Sequence, residues 1–392
     1  MPCNNRYTFQ DKKETIMTTQ RMQQKAELKT ENSVLLDKIA LYNFTIESVD
    51  DMESLQELGI ITIKEKQPHY VVLKSGEYFS TLHIEKTEYF DDFFFGIGKH
   101  GIYASMEMSV PDDGFHNLNC ISATQYIRRI EYAFYFLWKT YGILAGSNNL
   151  KYRSMEINKT IILDCDFQTY RRPMALMMYL LPARLRLTEA DFSEPDVHPE
   201  KVDDYNRCIS TYTKSSGKKG ISVKIYDKKN QLQSCFRILT THNYCRCEIT
   251  LKCSTKIIKA FGSNDVDKIT DQILNCYFND FIDDNIVKPY KKHCQKRDIA
   301  LRKILKDHYA PSSKTWTRDT LATIREMEIK NSVPFMLEIS ELILQTNCLK
   351  IDSKQSRCNL KDRFKKLCTE QNSIFICNDG QKYQELIEKL QL

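Results

Sequence analysis

Residues Gly220–Leu251 begin Gly-Ile-Ser-Val-Lys-Ile-Tyr-Asp-Lys-Lys-Asn-Gln-Leu, cross a polar connection and end Asn-Tyr-Cys-Arg-Cys-Glu-Ile-Thr-Leu. Successive side chains of a strand point to opposite faces, so the alternation in both runs predicts two strands with one apolar side each. In the first, Ser222, Lys224, Tyr226 and Lys228 share a face, opposite Val223 and Ile225. In the second, Tyr244, Arg246, Glu248 and Thr250 fall opposite Cys245, Cys247, Ile249 and Leu251. One side packs. The other carries a tyrosine between two lysines, with a carboxylate on the companion strand.

A third strand is expected from Lys159 to Phe167, Lys-Thr-Ile-Ile-Leu-Asp-Cys-Asp-Phe. Alternation there puts Thr160, Ile162, Asp164 and Asp166 on one side. Carboxylates two residues apart on a strand are separated by roughly 6 to 7 Å and can lean toward one divalent ion held by oxygen ligands. Asp164, Asp166 and Glu248 are therefore candidate metal ligands. A set dominated by carboxylates favours Mg²⁺ or Mn²⁺ over zinc.

The tyrosine has its own chemical requirement. A free phenol ionises at about pH 10, so only about one part in a thousand is phenolate at neutral pH, a deficit of about 4 kcal/mol that nearby positive charge must offset. Lys224 and Lys228 are placed to do this, which makes Tyr226 a candidate nucleophile. Ordinary structural roles compete: an aromatic on a half-exposed strand, solvated aspartates, and an Arg246 that pairs with a carboxylate. Cys245 and Cys247 lie on the apolar face and read as core, and His242 is a surface loop residue ahead of the glutamate strand.

The 392 residues suffice for two or more domains, and 42% hydrophobic content is ample for ordinary cores. Lys+Arg 57 against Asp+Glu 51 leaves a net charge of +6, which permits nucleic-acid binding without requiring it. The 14 cysteines contain no CxxC pair, so reduced thiols and a cytoplasmic location are expected. No apolar run approaches the roughly 20 residues of a membrane helix, so no membrane partner is expected.

Residues 1–33 are polar and read as a flexible leader. Short alternating runs between Leu35 and Met108 predict an antiparallel sheet, and apolar residues at helical spacing predict a helix over Ala123–Tyr141. A short helix is expected at Pro173–Leu181. Beyond Ser254 the pattern turns helical, with Val266–Leu305 broken at Pro289, followed by Thr317–Glu328, Pro334–Thr346 and Asn359–Glu370. The expected fold is thus α+β: an antiparallel sheet with covering helices over 34–262, and a helical C-terminal region over 263–392. Within the latter, Lys288, Lys291, Lys292, Lys296, Arg297, Arg302, Lys303 and Lys306 are interrupted by one acid, Asp298. Such a helix is either a solvated face or a track for DNA phosphates.

Taken in order, Ser109-Val-Pro, Phe115-His116-Asn117, Ile162-Leu-Asp-Cys-Asp-Phe167, Val223-Lys-Ile-Tyr-Asp-Lys228 and Arg246-Cys-Glu248 resemble phage and plasmid replication proteins of the gene II/gene X family. The resemblance covers roughly residues 35 to 260. It implies a rolling-circle initiator, a metal-dependent site-specific endonuclease that nicks one DNA strand, becomes joined to it through a phosphotyrosine and later rejoins it. By this resemblance Tyr226 is the nucleophile, Asp164 and Glu248 match acidic positions, and His116 matches a His-Asn position. The His-hydrophobic-His pair of the wider superfamily is absent. Expected partners are origin DNA, duplex and single-stranded, and a host helicase or polymerase of the phage or plasmid cycle. The rival expectation is a non-catalytic DNA-binding protein.

Overall fold

The structure is a computed structural model. It describes residues 25–29, 33–49, 62–63, 71–72, 78–79, 81–98, 101–110, 117–146, 149–190, 209–218, 220–310, 312–331, 339–351, 353–370 and 379–391. These divide into two compact units. The first comprises the described residues of Met1–Ile162 and Ser215–Phe278; the second takes those of Leu163–Asp191, Asp196–Lys214 and Asn279–Leu392. The expected division at 262/263 differs from this. The chain after 262 stays with the sheet as far as Phe278, and the segment after Leu163 goes with the C-terminal helices.

The α+β expectation holds. Among the described residues the first unit contributes eight strands to the largest sheet: β1 (Leu35–Tyr42), β2 (Thr62–Ile63), β3 (Thr81–Glu85), β4 (Asp92–Gly98), β5 (Gly101–Ser109), β6 (Lys151–Leu163), β7 (Ile221–Asp227) and β8 (Asn243–Leu251). They lie in the order β7-β8-β6-β1-β5-β4-β3-β2. The pairs β7/β8, β6/β1, β1/β5, β5/β4, β4/β3 and β3/β2 are all antiparallel. Leu36, Ile39, Leu41, Phe93, Phe95, Met106, Met155, Ile157, Val223, Ile225 and Ile249 are buried along it. Each large apolar side chain so buried contributes about 1.5 to 3 kcal/mol before conformational entropy is charged against it.

Helix α1 (Ala123–Tyr141) has the expected bounds. Ser122 and Gln125 form a reciprocal cap at its start, and Gly142, at φ 63°, ends it in the left-handed region that a glycine adopts without cost. Ala123, Tyr126, Ile130, Ala133 and Leu137 make its buried stripe. A second helix, α2 (Lys228–Phe236), occupies the polar connection between the two strands. Asp227 accepts a hydrogen bond from the Asn230 N–H at 2.8 Å, so the strand ends in a helix cap and Lys228 opens the helix instead of extending the strand.

Part of the supposed leader forms a separate two-stranded sheet. Lys25–Ala26 pairs in parallel with Leu239–Thr240, and the Leu28 N–H donates to the Tyr244 hydroxyl at 3.1 Å. In the second unit, helix α3 (Lys288–His308) starts where a break was expected at Pro289. A turn of π-helix, Asp283–Val287, precedes it, with the Lys288 N–H reaching the Asp283 carbonyl. Proline supplies no N–H and crowds the preceding turn, and the wider π turn accommodates it without ending the helix. Leu301, Ile304, Leu305, Trp316, Ile324, Leu342 and Phe364 form this unit's helical core. The helices Trp316–Asn331, Ile339–Gln345 and Lys354–Glu370 match expected ones apart from their bounds, residues 334–338 lying outside the described ones. Asp379–Gln391 was not foreseen.

Candidate metal centre

The β7/β8 register aligns Lys224 with Glu248 and Tyr226 with Arg246. These four side chains therefore share one face of the sheet, as alternation required. The Tyr226 hydroxyl donates to Glu248 Oε1 at 2.6 Å. Lys224 Nζ lies 3.9 Å from Glu248 Oε2 and 4.1 Å from the Tyr226 ring centroid. Lys228 Nζ stands 5.9 Å from the same centroid.

Two further carboxylates complete the site, and neither was singled out from the sequence. Along β6 and β1, Met155 pairs with Ile39 and Ile157 with Leu36, and the register shifts between them. Asp37 and Lys38 therefore oppose Glu156 alone. Such an irregularity re-aims side chains, and here it accompanies the meeting of Asp37 and Glu156 with Glu248. One oxygen from each lies within 4.8 Å of the others, close enough for one cation to touch all three. A lone acid inside an apolar run, Leu-Leu-Asp37-Lys-Ile-Ala and Met-Glu156-Ile, was the available signal.

Arg246 is the counter-charge. Its side chain is fully buried, with Nε donating to Thr160 Oγ1 at 2.8 Å, Nη2 to the Asn117 and Leu118 carbonyls at 2.6 and 2.7 Å, and Nη1 3.5 Å from Asp37 Oδ2. Asn117 Nδ2 donates to both oxygens of Asp37, at 2.8 and 2.9 Å. Lys228 Nζ donates to Asn117 Oδ1 at 2.5 Å and Gln231 Oε1 at 2.8 Å. Three acids thus meet Arg246, Lys224 and Lys228 in a nearly closed polar seam.

No protein-family model matches the chain, and no curated protein matches it.

Burial, together with the charges of Glu248 and Asp37, raises Glu156 far above the ordinary carboxylate range. Burial likewise raises Asp37, against the opposing influence of Arg246. A carboxylate group that resists full ionisation when alone is the electrostatic condition a divalent cation relieves. Tyr226 moves opposite to expectation. Burial, then the Glu248 charge, pushes its phenol well above the usual value, and the nearby lysines do not reverse this. Lys228 is itself lowered to about 7 by burial and by Arg246. The phenol is neutral, 1% exposed and hydrogen-bonded to a carboxylate.

The other expected ligands are placed elsewhere. β6 stops at Leu163, so Asp164 and Asp166 do not continue its face. Asp164 is exposed in the second unit and pairs with Lys389 at 2.5 Å, while its N–H donates to Glu385 at 3.1 Å. Asp166 caps the short helix Phe167–Tyr170, accepting from the Gln168 N–H at 2.9 Å. His116 lies outside the described residues. His242 is exposed, its ring 5.8 Å from that of Tyr244.

Helix α3 keeps only part of its expected charge track. Lys291, Lys292, Lys296, Lys303 and Lys306 are exposed. Arg297 is buried and paired with Asp298 at 2.9 Å and Glu341 at 3.0 Å, so it is no surface cation. Lys288 is held by Asp283 and Asp284, and Arg302 Nε donates to Gln345 Oε1 at 2.6 Å. Among the described residues no helix is long and apolar enough to cross a membrane.

Proposed function

We propose that the chain is a divalent-metal-dependent DNA endonuclease that nicks one strand and holds it as a phosphotyrosine, the activity of a rolling-circle initiator. The observation that carries this reading is the 2.6 Å hydrogen bond from the Tyr226 hydroxyl to Glu248, itself one of three converging carboxylates. Asp37, Glu156 and Glu248 would hold Mg²⁺ or Mn²⁺. When bound, the ion polarises the scissile phosphate and stabilises charge on the leaving oxygen.

The protein's residues supply the rest. Glu248 accepts the phenol proton, the Tyr226 oxygen bonds to phosphorus, the P–O3′ bond breaks, and the proton passes from Glu248 to the departing O3′, leaving a 3′-hydroxyl and a 5′-phosphotyrosine. Lys224, beside both groups, opposes the negative charge that gathers there. Reversal by the 3′-hydroxyl rejoins the strand. The reaction requires DNA to reach Tyr226, which is buried. The exposed lysines of α3 would add phosphate affinity without reading bases.

That burial favours a second reading, a non-catalytic DNA-binding protein in which the acids and Arg246 are an internal polar framework. Incubation with labelled single-stranded origin DNA and Mn²⁺ separates the two. The parent should yield a covalent protein–DNA adduct, and Tyr226→Phe and Glu248→Gln should yield none. An equal adduct from Tyr226→Phe removes the nucleophile assignment, and no adduct from the parent leaves the framework reading.

A further inference from the structure

One face of α1 is unaccounted for by the sheet it packs on. Tyr132, Tyr135 and Trp138 are 63, 56 and 46% exposed, although aromatics of this size are usually well covered. Arg128, Tyr132, Tyr135 and Lys139 fall within about 60° of one another at 3.6 residues per turn, opposite the buried stripe. Trp138 flanks them. The row from Arg128 to Lys139 is about 16 Å long at 1.5 Å per residue. The helix carries three cations, Arg128, Arg129 and Lys139, against one acid, Glu131. Lys139 Nζ sits 4.4 Å from the Trp138 ring centroid and 5.9 Å from that of Tyr135.

Exposed rings interleaved with cations suit one class of partner. Bases present a π-face to stack on, whatever their identity, and a backbone charge that Arg128 and Lys139 complement. A purely apolar partner would leave those cations desolvated and unpaired. We infer that the outer face of α1 is a stacking platform for single-stranded DNA, the kind of strand a nick releases. The inference rests on the DNA reading above, but its test needs neither metal nor cleavage.

The full chain would be titrated with an oligothymidylate of about 12 nucleotides in EDTA, over a salt series. Trp138 is the exposed tryptophan and Trp316 is 4% exposed in the other unit, so the oligonucleotide should quench the emission of the parent and leave that of Trp138→Phe nearly unchanged. Tyr132→Ala, Tyr135→Ala and Trp138→Ala should each weaken binding roughly 5- to 150-fold with the salt slope unaltered. Arg128→Gln and Lys139→Gln should each lower that slope by about 0.7. Tyr132→Leu keeps apolar area without a π-face and should bind as poorly as Tyr132→Ala. Unchanged affinity in the alanine variants, or full affinity in Tyr132→Leu, overturns the platform. So does sedimentation that finds a dimer dispersed by Tyr135→Ala without loss of oligonucleotide, because a second copy then covers the face. Nicking without these effects would remove the platform alone; these effects without a covalent adduct would remove the nicking reading alone.

Discussion

The strands β7 and β8 and the stretch around Asp164 carry the same kind of signal, acids alternating with apolar residues, and end differently. In the first, alternation persists through Tyr226 and Glu248 because each strand pairs along its length, so their side chains meet on one face. In the second the strand ends at Leu163, one residue before the acids begin. Beyond it the chain turns, the backbone N–H groups of the turn need acceptors, and Asp166 serves as one. Asp227 does the same at the end of β7. An aspartate near a strand terminus can satisfy a cap as readily as it can ligate, and alternation alone does not distinguish them. An acid in the middle of a paired strand has no such outlet, and Asp37, Glu156 and Glu248 are of that kind.

Removing the charge that makes the mid-strand acids tolerable should cost the most stability. Arg246→Met would leave Asp37 and Glu248 buried without their guanidinium, and the first unit should lose about 3 to 5 kcal/mol. Unfolding by urea in a Trp316→Phe background, where Trp138 reports the first unit, measures it. A loss under about 1 kcal/mol would mean that water or a rearranged lysine replaces Arg246, and the seam would cease to be a distinct electrostatic site.

Next in size is the cation itself. Mg²⁺ or Mn²⁺ at about 100 times its dissociation constant should stabilise the first unit by about 2.7 kcal/mol. The pH dependence follows from Glu156 and Asp37, whose carboxyls are raised by burial. Without a cation the folded state retains protons that the unfolded state has released, so stability falls as pH climbs above the ordinary carboxylate range. A bound cation displaces those protons, so its stabilisation should grow with pH. The comparison belongs below about 7, because Lys228, lowered to about 7, binds fewer protons when folded and contributes a rise of stability above that point. Glu156→Gln should flatten the fall and abolish the cation effect; a cation effect that persists in Glu156→Gln removes this residue from the ligand set.

Much of the architecture was legible in local pattern. α1 was readable to its bounds because an apolar stripe, a Ser-x-x-Gln cap and a terminal glycine agree. Tyr226, Lys224 and Glu248 were brought together because strand alternation is a local rule. Asp37 and Glu156 were missed because their meeting accompanies a register irregularity between strands more than a hundred residues apart, which no local pattern encodes. The same holds for Arg297. Its partner Glu341 lies 44 positions away, so a row of cations read as surface includes a buried one.

Neutralising Asp164 should change the protein least. Asp164 has a side chain 70% exposed, and its partner Lys389 retains Glu385 at 3.0 Å when the aspartate is neutralised. An exposed ion pair of this kind is screened by solvent and worth about 0 to 1 kcal/mol, so Asp164→Asn should change stability by no more than about 0.5 kcal/mol. Its cation stabilisation and its yield of covalent adduct should equal the parent's. This separates two sets of acids that sequence alone treats alike. If Asp164→Asn instead erased both effects while Glu156→Gln left them intact, the metal would belong to the acids beyond Leu163, and the three mid-strand carboxylates would be a structural framework held by Arg246.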